Sequence, residues 1–217
     1  MTVSTRTNGL SHVVMDTDYP LNSIDWLTRL IAFDTVSRHS NLALIEYVQS
    51  YCEQLGLSVD LTFNDAKNKA NLFVTVAAGG NANNSADIIN HGLVLSGHTD
   101  VVPVDGQAWT SEPFTATIRG DKLYGRGACD MKGFIACALT LLPKAVELSN
   151  SGQLSRPLHL ALSFDEEVGC LGAPLILADL KARGITPDYC IVGEPTYLAL
   201  VVAHKGISVY RCRVHGK

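Results

Sequence analysis

Four short polar clusters in this chain combine residue types that bind cations and move protons. They are His98-Thr99-Asp100, Asp130 inside Tyr124-Gly125-Arg126-Gly127-Ala128-Cys129-Asp130-Met131-Lys132-Gly133, then Asp165-Glu166-Glu167, and Gly193-Glu194-Pro195-Thr196. Imidazole and carboxylate donors together suit Zn²⁺, with Co²⁺ or Mn²⁺ as substitutes. In this reading Asp130 bridges two metal ions, and the other clusters supply most of the remaining ligands. Asp130, Glu167 and Glu194 bring three negative charges against the four positive charges of two divalent ions. The surplus favours a bound hydroxide, because such ions lower the pKa of their water towards about 7. The chemistry on offer is hydrolysis near neutral pH.

Each cluster also has a plainer interpretation. His98 and Asp100 lie two apart and project to one side of an extended segment. The Asp100 carboxylate then suits acceptance of the second imidazole N–H, which fixes the tautomer of a ligating histidine. A structural His–Asp pair in a turn would look the same. Glu166 and Glu167 face opposite ways on a regular strand. At a strand end the backbone can turn, so that one carboxylate binds metal while its neighbour reaches the metal's water. A solvated acidic loop is the alternative, and Glu194 before Pro195 reads equally as a surface residue. Gly125 and Gly127 permit tight backbone conformations before Asp130. As a phosphate cradle this loop lacks the Gly-Lys-Ser/Thr ending of a P-loop and the third glycine of a dinucleotide fingerprint.

The hydrophobic pattern supplies elements that end on these clusters. Asn22 or Ser23 caps a helix with Ile24, Leu27, Leu30 and Ile31 on one face. A second helix begins after Ser40, repeats Leu44, Val48, Tyr51 and Leu55, and stops at Gly56. Leu57, Val59, Leu61 and Phe63 alternate as in a half-buried strand, followed by a strand over 71–78 and an exposed loop over 79–90. A buried strand over 93–97 runs directly into His98, and 115–124 reads as a hairpin turning at Gly120-Asp121. A helix runs from about Met131 towards Ser149, with Pro143 predicting a kink or an early stop. A strand over 158–164, a helix over 173–183 closed by Gly184, and a strand over 189–192 follow. Residues 200–214 alternate like two short strands split at Lys205-Gly206. Alternating strands and helices argue for an α/β layer sandwich, in which ligands bind beyond the carboxyl ends of the strands. Three of the four clusters occupy that position.

Composition narrows the function classes. At 217 residues and 47% hydrophobic, the chain can bury one sizeable core, and two small domains are possible. A net charge of −4 gives no electrostatic footprint for nucleic acid or an anionic membrane. No apolar run approaches the roughly 20 residues that span a bilayer. Residues 1–20 read as a polar, poorly ordered tail without a secretory signal or transit peptide. The six cysteines include no Cys-x-x-Cys pair and mostly sit in apolar segments, which predicts reduced, buried thiols in a cytoplasmic protein.

Four ordered stretches resemble the di-zinc aminoacylase and carboxypeptidase family of metallohydrolases. They are Ser96-Gly97-His98-Thr99-Asp100-Val101-Val102-Pro103-Val104, residues 123–133, Asp165-Glu166-Glu167-Val168-Gly169-Cys170, and Gly193-Glu194-Pro195-Thr196 with Ala203-His204-Lys205-Gly206. The similarity spans residues 21–217. It implies a three-layer α/β/α sandwich with a mixed, mostly parallel sheet. It also implies zinc ligation by His98 and Glu194 on one ion and Glu167 on the other, with Asp130 bridging. Asp100 would orient His98, and Glu166 would act as general base. A cis peptide is implied at Asp130-Met131.

The implied substrate is a small N-acyl amino acid, foremost N-acetyl-L-ornithine, cleaved to acetate and ornithine for arginine biosynthesis. Desuccinylation of succinyl-diaminopimelate is the nearest rival, and a non-catalytic metal-binding fragment is the alternative from another class. Family members are longer. The resemblance therefore implies that 21–203 is the N-terminal part of the catalytic domain and 204–217 the hinge and first strand of a lid and dimerisation domain. A complete protein would be a homodimer with two zinc ions per subunit. The histidine completing the Glu167 site would then lie beyond Lys217, and His204 and His215 read as ordinary strand or hinge residues.

Overall fold

The computed structural model describes residues 19–79, 88–203, 205–206 and 208–216. Most of the expected tail, the centre of the expected 79–90 loop, His204 and Lys217 lie outside them. Helix α1 (Ser23–Ile31) starts where Asn22 accepts the main-chain N–H groups of Ile24 and Asp25, both at 3.0 Å. That satisfies two donors a first turn otherwise leaves open. Its buried face is Trp26, Leu30 and Ile31, whereas Ile24 is 49% exposed, so the expected stripe is rotated. The large Trp26 side chain wins the inward position, stacking with Tyr19 and meeting Tyr51 edge-on. Helix α2 (Leu42–Gln54) buries Leu44, Ile45, Val48, Tyr51 and Cys52 as the pattern requires, and the chain leaves it through Gly56 at φ +78°.

The main sheet has the spatial order β1 (Val59–Phe63), β2 (Ala70–Val76), β6 (Leu158–Ser163), β3 (Leu93–His98), β7 (Tyr189–Val192). Both pairings of β2 are antiparallel and both pairings of β3 are parallel, so the mixed sheet divides evenly. Strands β4 (Thr117–Arg119) and β5 (Lys122–Tyr124) form the expected hairpin apart from it, with Arg119 opposite Lys122 across Gly120-Asp121. On one face α1, α2 and α3 (Gly133–Asn150) pack on Leu72, Val74, Leu160 and Leu162. On the other, Ile176 and Leu180 of α4 (Ala173–Arg183) meet Phe73, Val94 and Ala161. Alternate residues of β2 and β6 thus serve opposite layers, giving an α/β/α sandwich.

Pro143 neither stops α3 nor leaves a main-chain acceptor bare. A proline has no N–H to give the carbonyl four residues earlier, here that of Leu139. The Tyr51 phenol donates to that carbonyl at 3.1 Å from across the core. Burial pushes the phenol's pKa up, keeping it a neutral donor.

Two further expectations fail. Residues 200–214 form no strand among the described residues. Val201, Val202, Val209, Tyr210 and Val214 are all exposed, and alternation without a partner strand does not make a sheet. Five of the six free cysteines are exposed, Cys52 alone being buried. Cys190 lies on the sheet's edge strand, Cys129 in the turn before α3 and Cys170 in the loop after β6, so apolar neighbours in sequence did not carry these thiols inside. No described helix is long and apolar enough to cross a membrane.

Leu72 is fully buried under the helical layer, while Leu177 of α4 is 68% exposed. Leu72→Ala is expected to cost about 2–5 kcal/mol in urea unfolding and Leu177→Ala about 0.5 kcal/mol or less.

Candidate metal centre

The central strands deliver the donors. Strand β3 ends on His98, and its parallel neighbours β6 and β7 end just before Asp165-Glu166-Glu167 and Gly193-Glu194. Parallel strands finish on the same rim, so three clusters far apart in sequence meet there. Asp130 arrives separately, in a wide turn over Ala128–Lys132 that precedes α3. It does not open the helix as the sequence suggests, since its own φ and ψ are extended (−113° and 98°). The Asp130-Met131 peptide is cis, as expected. Buried Met131 ties this turn to β3 through its Sδ, which accepts the His98 main-chain N–H at 3.3 Å. Gly127 enters the turn at φ +78°, and a Cβ there would stand 2.6 Å from Val101 Cγ1. Only glycine fits that conformation and space together.

The imidazole of His98 is the buried centre, its side chain 2% exposed. Nε2 lies 3.0 Å from Asp130 Oδ1, 3.8 Å from Glu194 Oε1 and 4.0 Å from Glu166 Oε2. Two donor groups share this histidine: His98 with Asp130 and Glu167, and His98 with Glu166 and Glu194. Within each, one donor atom per residue lies within 4.8 Å of the others. Five of the six residues singled out from the sequence, His98, Asp130, Glu166, Glu167 and Glu194, therefore share one rim.

Asp100 departs from expectation in detail. His98 Nδ1 meets the main-chain carbonyl of Asp100 at 2.8 Å, whereas the nearer carboxylate oxygen is 3.6 Å away, too long for a hydrogen bond. That carboxylate instead accepts the Ser37 hydroxyl at 2.7 Å and the main-chain N–H groups of Glu166 at 3.0 Å and Glu167 at 3.3 Å. It orients the Glu166-Glu167 loop as well as sitting beside the imidazole. Ser37 and the buried Lys69–Asp165 pair nearby were not legible as site residues. Their partners lie 63 and 96 positions away in sequence, and the only local hint was Asp165 preceding two glutamates.

Electrostatics fit a cation. Burial raises the Glu167 pKa, and neighbouring Asp130 and Glu166 raise it further. Burial, Asp130 and Glu166 act likewise on Glu194, against the opposing pull of His98. Burial alone would lower the His98 pKa, but Asp100 and Glu194 override it and lift the value to about 9. Carboxylates that disfavour one another's charge around a single imidazole gain most from a shared divalent ion. Oxygen donors with one nitrogen suit zinc and its first-row neighbours. With Nδ1 engaged by the Asp100 carbonyl, only Nε2 remains to ligate. One lone pair serves one ion, so the two donor groups cannot both use His98 at once.

A cation reaches Nε2 only after its proton leaves. Because the metal-free value is raised to about 9, metal competes with a proton throughout the neutral range. Apparent Zn²⁺ affinity, measured by competition with a chromophoric chelator, is expected to rise about tenfold per pH unit between roughly pH 6.5 and 9 and then flatten. His98→Ala is expected to abolish that slope.

Comparison with known proteins bears on the stretch of chain that holds these clusters. The model of peptidase family M20/M25/M40 matches residues 94–213. The chain is 37% identical over 187 residues to an acetylornithine deacetylase of Proteus mirabilis, covering 86% of this chain and 44% of that protein. It is 36% identical over 199 residues to an acetylornithine deacetylase of Aliivibrio fischeri, covering 89% and 48%. The chain thus spans less than half the length of these curated relatives. Its fold is similar to an M20 family metallo-carboxypeptidase of Sulfolobus solfataricus (TM-score 0.63, 22% identity, 79% of this chain and 37% of that one). Human carnosine dipeptidase 1 shares it as well (TM-score 0.61, 20% identity, 78% and 37%). With the family's model matched across every donor cluster and the fold shared, the chain belongs to peptidase family M20/M25/M40.

Proposed function

We propose that this chain carries most of the metal-binding half of an amidohydrolase that removes the acyl group from an N-acyl amino acid, foremost N-acetyl-L-ornithine. The observation that carries this is the convergence of His98, Asp130, Glu166, Glu167 and Glu194 on one rim. The similarity to acetylornithine deacetylases supports the substrate. In this reading two zinc ions, replaceable by Co²⁺, would be held by His98 and Glu194 for one and by Glu167 for the other, with Asp130 shared by both. Bound divalent ions would supply polarisation of the amide carbonyl and a water acidic enough to attack near neutral pH.

The chain's own groups do the rest. Glu166 takes the proton from the attacking water and returns it to the departing amine, which leaves as ornithine while the acyl group leaves as acetate. It is suited to this because its carboxylate stays more than a third exposed, within reach of substrate, while Asp100 holds its main-chain N–H. Asp100 presents its carbonyl to Nδ1, so that Nε2 faces the donor cluster. In the wider protein, residues 21–203 are the N-terminal part of the catalytic domain and 204–217 lead into a lid and dimerisation domain. A homodimer working in the cytoplasm, with no nucleic-acid or membrane partner, completes the proposal.

A second reading, a metal-binding but non-catalytic segment, is favoured by one observation. His98 is the sole histidine in either donor group among the described residues, so only one ion gains an imidazole. Zinc stoichiometry with turnover separates the two. Tight binding of two ions with acetate release from N-acetyl-L-ornithine supports the enzyme, whereas one ion and no turnover supports the second reading. Succinate release from succinyl-diaminopimelate in place of acetate would reassign the substrate. In an active protein, Glu166→Gln is expected to lower kcat by about 10²–10⁴-fold while leaving bound zinc unchanged.

A further inference from the structure

Beneath the donor rim Lys69, Ser37 and Asp165 form a buried polar layer that the proposed chemistry does not use. Lys69 stands immediately before β2, and its ammonium donates to the Ser37 carbonyl and, at 2.5 Å, to Asp165 Oδ1. The two charged side chains are 11% and 10% exposed. Ser37 in turn donates its hydroxyl to Asp100 Oδ2, and Asp100 Oδ1 accepts the N–H of Glu166, the residue after Asp165. These contacts close a ring running Lys69, Ser37, Asp100, Glu166, Asp165 and back to Lys69.

We infer that Lys69 is a positioning residue, which by holding Ser37 and Asp165 on either side of Asp100 fixes the backbone that aims Glu166 and Glu167. This rests on the proposal that those carboxylates hold cations and move protons. Three features carry it. Asp165 adopts φ +54°, a left-handed conformation uncommon for non-glycine residues, although aspartate enters it more readily than most. Its Oδ1 is held by Lys69 one residue before Glu166 and two before Glu167, so a turn of Asp165 re-aims both. The ring also ties three separate segments, the stretch after α1, the start of β2 and the loop after β6, to the Asp100 carboxylate that follows His98. An error of about 1 Å in such groups costs on the order of a hundredfold in rate.

Two variants separate aiming from stability. Lys69→Met leaves the Asp165 charge buried and unpaired, so it lowers both Tm and metal affinity. Lys69→Met with Asp165→Asn removes both charges and restores Tm towards the unaltered chain, because no uncompensated charge remains inside. Zinc affinity, by chelator competition, is expected to stay about tenfold or more below the unaltered chain in both variants, the range typical when a ligand loses its supporting contacts. The visible absorption of the Co²⁺-loaded chain should change in both. If the double variant binds zinc as tightly as the unaltered chain, or recovers affinity together with Tm, Lys69 is merely structural and the inference fails. Should Lys69→Met not fold, the double variant alone decides. If the unaltered chain binds no zinc, the metal proposal falls and this inference with it.

Discussion

The parallel pairing of β3 with both its neighbours is the constraint on which the rest depends. Leu93 pairs with Leu158 on one side and Tyr189 on the other, and the registers run forward until His98 stands opposite Ser163. Had β6 run the other way, residues 165–167 would leave the sheet some 16–20 Å from His98, the length of a strand of this size. Side chains could not bridge that gap. The two antiparallel pairings of β2 do no such work; they widen the sheet and give α2 and α4 something to cover. Direction in the centre, rather than the number of strands, makes the site.

Charge is the second organising fact. The rim gathers acidic side chains that raise one another's proton affinity, and the chain faces them with a single buried imidazole. Such a cluster stabilises nothing by itself. Folding tolerates it because the carboxylates remain partly solvated, whereas the oxygens of Asp100 below are fully employed by a hydroxyl and two main-chain N–H groups. The site thus separates into a wet upper layer that invites cations and a dry lower layer whose hydrogen bonds are already satisfied.

Most of this geometry was legible in the sequence because it is local. A strand that runs straight into His98, a strand that ends just before Asp165 and a helix closed by Gly184 each announce their own ends. What could not be read is what the third dimension decides. Trp26 displaced Ile24 from the core because only the packed partner surface, with Tyr19 and Tyr51, reveals which face is deeper. Nothing near Asp100 indicates that its carboxylate serves a loop more than sixty residues on rather than its neighbour two residues back. The alternation in 200–214 was a genuine pattern, but a strand exists only when another backbone accepts its hydrogen bonds. Pattern shows what a segment can do; the partner decides whether it does.

The phenol of Tyr51 lending its proton to the Leu139 carbonyl couples two positions, 51 and 143, that lie far apart in sequence. So long as proline occupies 143, losing the hydroxyl at 51 strands a buried acceptor. Once an ordinary residue restores the amide at 143, the same hydroxyl becomes superfluous and costs its own burial. The stability effect of a change at either site is therefore conditional on the residue at the other.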